Sequence, residues 1–194
     1  MKIGNSIEYI ISINEISSKK DIDQVNQYIN DKNLNDKIHI IDIGRITGDT
    51  NVKGLFSYFP NLEIVRTGPI DNAESVTGMF NNCPKLRYII IGSTPKLTEL
   101  RDIAIECPSI ESITVVSTGE IEDLHDCFIN YPNLKHVAIN HTKCTRMHDV
   151  FRKCPKLNFI EYRHCPKLKL PYVPEGFDIY EMPKHSFMLE KPSK

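Results

Sequence analysis

Five prolines, Pro60, Pro84, Pro108, Pro132 and Pro155, recur at steps of 24, 24, 24 and 23 residues. The apolar residues around them keep the same step. Two positions after each proline stand Leu62, Leu86, Ile110, Leu134 and Leu157; five after stand Val65, Ile89, Ile113, Val137 and Ile160. Four before stand Phe56, Phe80, Ala104, Phe128 and Phe151; eight before stand Val52, Val76, Leu100, Leu124 and Met147. A period of this length means coils that cannot bury their own apolar side and must stack on one another. The segment after each proline alternates inward and outward like a short strand. Proline lacks an N–H, so it starts a strand at little cost. The segment before it, such as "VTGMFNN", has helix-like apolar spacing and suits a short helix or a tight turn.

The spacing therefore predicts an α/β repeat solenoid, with a parallel sheet on one face and short helices or turns on the other. Residues 1–194 read as one domain. Residues 1–44 form an N-terminal cap with a degenerate repeat, 45–170 hold about five repeats of 23–24 residues, and 171–194 form a closing cap and tail. Within the first part, Ile22, Val25 and Ile29 fall on one helical face. Ile38, Ile41 and Ile43 continue the inward columns, and Ile7 to Ile13 reads as an outer capping strand. Leu168 falls in the column of Leu97 and Ile121; the prolines beyond it predict an irregular closure and a loose basic tail.

Composition excludes several function classes. The 24 Lys+Arg and 25 Asp+Glu nearly cancel, leaving a net charge of -1, which gives no footprint for nucleic acid or an anionic membrane. No apolar run is long enough for a secretory core or a membrane span. These readings predict a cytoplasmic protein whose six cysteines are reduced. No CxxC, P-loop, G-x-S-x-G or H-E-x-x-H is present, so no catalytic residue is assigned and an enzyme is not expected.

The register Phe80-x-x-Cys83-x-x-Leu86-x-x-Ile89-x-Ile91 resembles the BspA-type leucine-rich repeat, and Phe151-x-x-Cys154-x-x-Leu157-x-x-Ile160-x-Tyr162 follows it closely. The resemblance runs roughly from Gly54 to Leu170. It implies a right-handed leucine-rich-repeat coil that binds other macromolecules, commonly in adhesion or host interaction.

Cys83, Cys107 and Cys154 share one column and read as small packed hydrophobes. His136, His141, Cys144 and His148, with His164 and Cys165 one coil on, are metal-ligand types. They fall on different sides of a coil, however, whereas zinc needs convergent ligands. Neither a metal nor another cofactor is predicted. The carboxylates Glu120, Glu122 and Asp123 read as a solvated surface.

Positions four and six after each proline should point outward from the sheet. They are Ile64 and Arg66, Tyr88 and Ile90, Ser112 and Thr114, His136 and Ala138, and Phe159 and Glu161, continuing Ile40 and Asp42 of the cap. Large apolar groups in this row mark a binding face for another protein. Two further readings stay open: self-association into a homodimer through the same face, and a metal-dependent enzyme around His136–His148.

Overall fold

The computed structural model describes residues 10–48, 51–169 and 171–192. The chain begins with β1 (Ile10–Ile16), α1 (Lys19–Asp31) and β2 (Ile40–Ile46). Each later coil adds a short strand and then a strand of the main sheet. These pairs are β3 (Phe56–Ser57) with β4 (Ile64–Thr67), β5 (Phe80–Asn81) with β6 (Tyr88–Ser93), and β7 (Ala104–Ile105) with β8 (Ser112–Ser117). Two more are β9 (Asp123–His125) with β10 (His136–Asn140), and β11 (Arg146–His148) with β12 (Phe159–Arg163). A hairpin, β13 (Asp178–Met182) and β14 (Ser186–Glu190), closes the described chain.

The product is a parallel β-solenoid of about five turns. Its main sheet has nine strands in the order β1-β2-β4-β6-β8-β10-β12-β14-β13, with parallel pairing from β1 to β12. The backbone pairs residues one repeat apart, Ile64 with Tyr88, Tyr88 with Ser112, Ser112 with His136, and His136 with Phe159. The four inward columns expected from the spacing are buried at every coil, apart from the partly buried Met147. Full burial of one such aliphatic side chain contributes about 1.5–3 kcal/mol, so the stack gains stability at every coil in the same way.

Of the short helices or turns expected between strands, turns form and helices do not. Among the described residues α1 is the only helix, and it belongs to the N-terminal cap, where Val25 and Ile29 are buried against the first coil. In the repeats the chain turns through two left-handed residues ahead of each repeat proline, with a third after the main strand at Gly119, His141 and His164. Gly54, Gly78, Asp102, Asp126 and Asp149 make one column of positive φ; Tyr58, Asn82, Glu106, Asn130 and Lys153 make the other. Only three residues separate the two, as in Met79 to Asn81, which is less than one helical turn. In the first three coils those residues instead pair from coil to coil, forming the ladder β3-β5-β7, while the ladder β9-β11 lies just before Asp126 and Asp149.

Single-atom choices allow the coils to approach closely. Gly44, Gly68 and Gly92 stand in a row where a Cβ at Gly68 would strike the carbonyl oxygen of Gly44, and one at Gly92 that of Gly68. The phenylalanine column stacks as Phe56 on Phe80 (5.5 Å) and Phe128 on Phe151 (5.7 Å). Ala104 interrupts it, and there Tyr131, from the cysteine column of the next coil, uses its hydroxyl to donate to Ala104 O (3.0 Å) and accept from Ala104 N (3.2 Å). The large ring at 131 and the small methyl at 104 complement each other in volume.

Of the outer strand expected over Ile7 to Ile13, residues 10–13 lie in β1, which runs on to Ile16; positions 7–9 lie outside the described residues. The C-terminus differs from the expected loose tail. It folds as a hairpin whose β14 joins the sheet edge antiparallel to β12, burying Phe187 and Leu189. Proline-rich connections flank these strands without entering them, so the prolines do not prevent pairing.

Two consequences are measurable by urea unfolding. Non-glycine residues in the left-handed region cost about 1 kcal/mol, less for Asn, so Glu106→Asn and Lys153→Asn should each stabilise the fold by about 0.5–1 kcal/mol. Ala104→Phe alone should destabilise by about 1–3 kcal/mol through overpacking. Combined with Tyr131→Cys it should cost less than the sum of the single changes, and additive losses would rule out the volume exchange.

Candidate interaction surface

In the main sheet, the residues between the inward columns face away from the core in two rows that cross the strands. One row runs Ile10, Ile40, Ile64, Tyr88, Ser112, His136, Phe159 and Glu190. The other runs Ser12, Asp42, Arg66, Ile90, Thr114, Ala138, Glu161, Met188 and Tyr180. All nine residues singled out from the sequence, Ile64, Arg66, Tyr88, Ile90, Ser112, Thr114, His136, Phe159 and Glu161, therefore lie on one sheet face. Each is partly or largely exposed, while Val65, Ile89, Ile113, Val137 and Ile160 beside them are buried. Ala138 differs: its methyl group is too short to rise between Thr114 and Glu161 on the flanking strands, and it is buried.

The apolar members are grouped by position. Tyr88 lies beside Ile64 across β4 and β6 and next to Ile90 on its own face, where Ile90 is 37% exposed. Phe159 packs its ring on His136 with centroids 5.2 Å apart. The hairpin extends this face with Met188 and Tyr180, two residues that the sequence reading missed because it treated the tail as loose. Tyr180 is 47% exposed.

A row of charges borders the apolar one. Glu63 pairs with His39 (2.8 Å), and Glu111 holds Arg87 (2.9 Å) and Lys135 (2.8 Å) from the coils on either side. The hydrogen bond from Lys135, opposed by some desolvation and reinforced by Arg87, lowers the carboxyl pKa of Glu111. The guanidinium of Arg87 also lies 5.1 Å from the ring centre of Tyr88, fixing that ring against the sheet. On the face itself Arg66 reaches Asp42 (3.2 Å). Each charge thus has a partner in a neighbouring coil, so the border is specific in shape without carrying a net field.

The cysteines are structural. All six are free thiols and buried. Cys83, Cys107 and Cys154 donate across the coil to the carbonyls of Phe56, Phe80 and Phe128. The thiol pKa of Cys107 is raised by its hydrogen bond to Cys83 and by burial, and burial pushes that of Cys127 up to about 12. Protonated, enclosed thiols of this kind are poor nucleophiles.

The histidine and cysteine group noted in the sequence is dispersed. His136 lies on the sheet face, whereas His141 stacks on His164 (4.7 Å) at the strand ends. Cys144 is in the core, donating to Arg146 O (2.7 Å), and Cys165 is buried. His148 is on β11 and meets His125 and Asp123 instead. A metal-dependent centre spanning His136 to His148 therefore has no common site. No described helix is long and apolar enough to cross a membrane. Comparison of the chain with protein-family models, curated proteins and solved structures finds no match.

His136 gives this face a pH dependence. Burial lowers its pKa, with Glu161 acting weakly in the opposite sense; Nδ1 lies 3.2 Å from Ser112 Oγ. The unfolded chain, with an imidazole pKa of about 6.5, binds the proton more readily. The stability from neutral His136 is therefore complete above about pH 6.5 and is lost as pH falls through the lower folded pKa. Urea midpoints at about pH 7.5 and about pH 5 should differ more for the wild type than for His136→Gln. Equal differences would exclude this role.

Proposed function

We propose that the chain is a non-enzymatic scaffold of the leucine-rich-repeat kind that binds another protein through the outward face of its main sheet. The observation that carries this reading is the row Ile64, Tyr88, Ser112, His136 and Phe159, in which three large apolar side chains, Ile64, Tyr88 and Phe159, remain partly exposed at in-register positions. A sheet face that served only to meet water would carry polar residues there. The C-terminal hairpin supports the reading, because it adds to the edge of the sheet and leaves the face uncovered by any described segment.

The arrangement suits recognition by anchors. Tyr88 and Phe159 supply rigid area at low entropic cost, and the paired charges at the border set orientation. The backbone between them is held by strand pairing on both sides, so little ordering is required on binding.

Tyr88→Ser and Phe159→Ser, singly and together, test the proposal. Each should leave the far-UV spectrum and urea midpoint nearly unchanged while reducing partner capture from a native extract at least tenfold. Capture unaffected in the folded double variant overturns the proposed face. A second copy of the chain as the partner would show as a concentration-dependent mass in sedimentation, abolished by the same substitutions.

A further inference from the structure

The short β9-β11 ladder holds a separate group of metal-ligand side chains. Its register sets His125 opposite His148 and Asp123 opposite Arg146. Alternate residues of a strand point the same way, so Asp123 and His125 of one coil meet His148 of the next. The two imidazoles stack with centroids 5.1 Å apart and planes 4° from parallel. His148 Nδ1 lies 3.5 Å from Asp123 Oδ1 and His125 Nδ1 lies 3.9 Å from it. One ligand atom from each residue falls within 4.8 Å of the others.

Two of these atoms, Asp123 Oδ1 and His125 Nδ1, are buried without a hydrogen-bond partner. Leaving such atoms without a partner is unfavourable, and here the two lie 3.9 Å apart. Arg146 approaches the other carboxylate oxygen, Asp123 Oδ2, at 3.4 Å. It thereby orients the carboxylate while leaving Oδ1 available.

We propose that Asp123, His125 and His148 form a binding site for a first-row divalent transition metal, with Zn²⁺ as the fitting ion. Bonds of about 2.1 Å at tetrahedral angles place ligand atoms about 3.4 Å apart, so binding draws the present separations in and turns the two stacked rings out of parallel, aiming both lone pairs at the ion. Two imidazole nitrogens, which are borderline donors, beside one carboxylate oxygen favour Zn²⁺ and its neighbours over Mg²⁺ or Ca²⁺, which prefer oxygen ligands throughout. Three protein ligands leave a fourth position for water. The ion would join adjacent coils side chain to side chain, on a ladder distinct from the proposed protein-binding face.

Calorimetric titration of the untagged full chain with Zn²⁺ should give one saturable site, and Zn²⁺ should raise the melting temperature in a concentration-dependent way. Co²⁺ should produce visible bands of a four-coordinate nitrogen–oxygen site without a thiolate charge-transfer band. His125→Gln and His148→Gln should each weaken Zn²⁺ binding at least tenfold, with far-UV spectra unchanged. Absence of one-to-one uptake by the wild-type chain overturns the proposal. So does a thiolate band in its Co²⁺ complex, a readout that needs no variant to fold, or undiminished affinity in the folded double variant.

Discussion

Every level of this structure depends on one constraint: a coil can satisfy its backbone only through the coils beside it. The chain of bonds from Glu63 N to His39 O, Arg87 N to Glu63 O, Glu111 N to Arg87 O, Lys135 N to Glu111 O, and Asn158 N to Lys135 O shows it directly. The bond from Lys191 N to Asn158 O carries the series into the closing hairpin. Such bonds fix the register, and the register places like with like. Columns of leucine, isoleucine and phenylalanine then become continuous walls of the core. A one-residue slip in the pairing of a strand would turn every one of its inward side chains outward. The single 23-residue step is absorbed before Pro155 without that penalty, since Val137 still pairs with Ile160.

The same register converts sequence periodicity into side-chain ladders on the surface. Glu111 draws its two partners from the coils before and after it. Lys85 reaches Asn61 Oδ1, and Lys156 reaches Asn133 Oδ1, while Asn133 itself donates to the carbonyl of Pro108. The cysteines take part in the same logic. Cys144 continues the buried column of Ala73, Leu97 and Ile121, and Cys165 follows the buried threonines 94, 118 and 142. A residue's role here is set more by its column than by its neighbours in sequence. This is why a cysteine beside a proline, the pattern of a reactive loop elsewhere, is an enclosed donor at position 83.

The parts legible in the sequence are those that depend on period and polarity alone. Ile89 and Ile91 could be assigned inward, and Tyr88 and Ile90 outward, because strand alternation leaves no other choice once the step is known. The segments between strands were not legible in the same way. Met79 and Phe80 have spacing compatible with a helix, and the decisive fact, positive φ at Gly78 and Asn82, is a backbone property that Gly and Asn permit but do not dictate. Glu106 and Lys153 adopt it as well, with no compositional signal. From the sequence, Asp123 and His148 fell into different groups and His125 into none, because their meeting depends on the cross-coil register of β9 and β11. A search for histidine at the repeat step, 125 to 148, was the available signal.

The hairpin at the end of the stack has a consequence for how such an architecture can change in length. Strand β14 runs opposite to β12 and occupies its outer edge, so a further coil of the repeating kind cannot be laid directly on β12. Duplication of a 24-residue unit is compatible with this design only upstream of Phe159, where both neighbours are parallel. Growth by internal copying would lengthen the outward rows and leave both terminal structures as they are. Related chains built on this plan should therefore differ in the number of middle coils, with the hairpin acting as a fixed terminator.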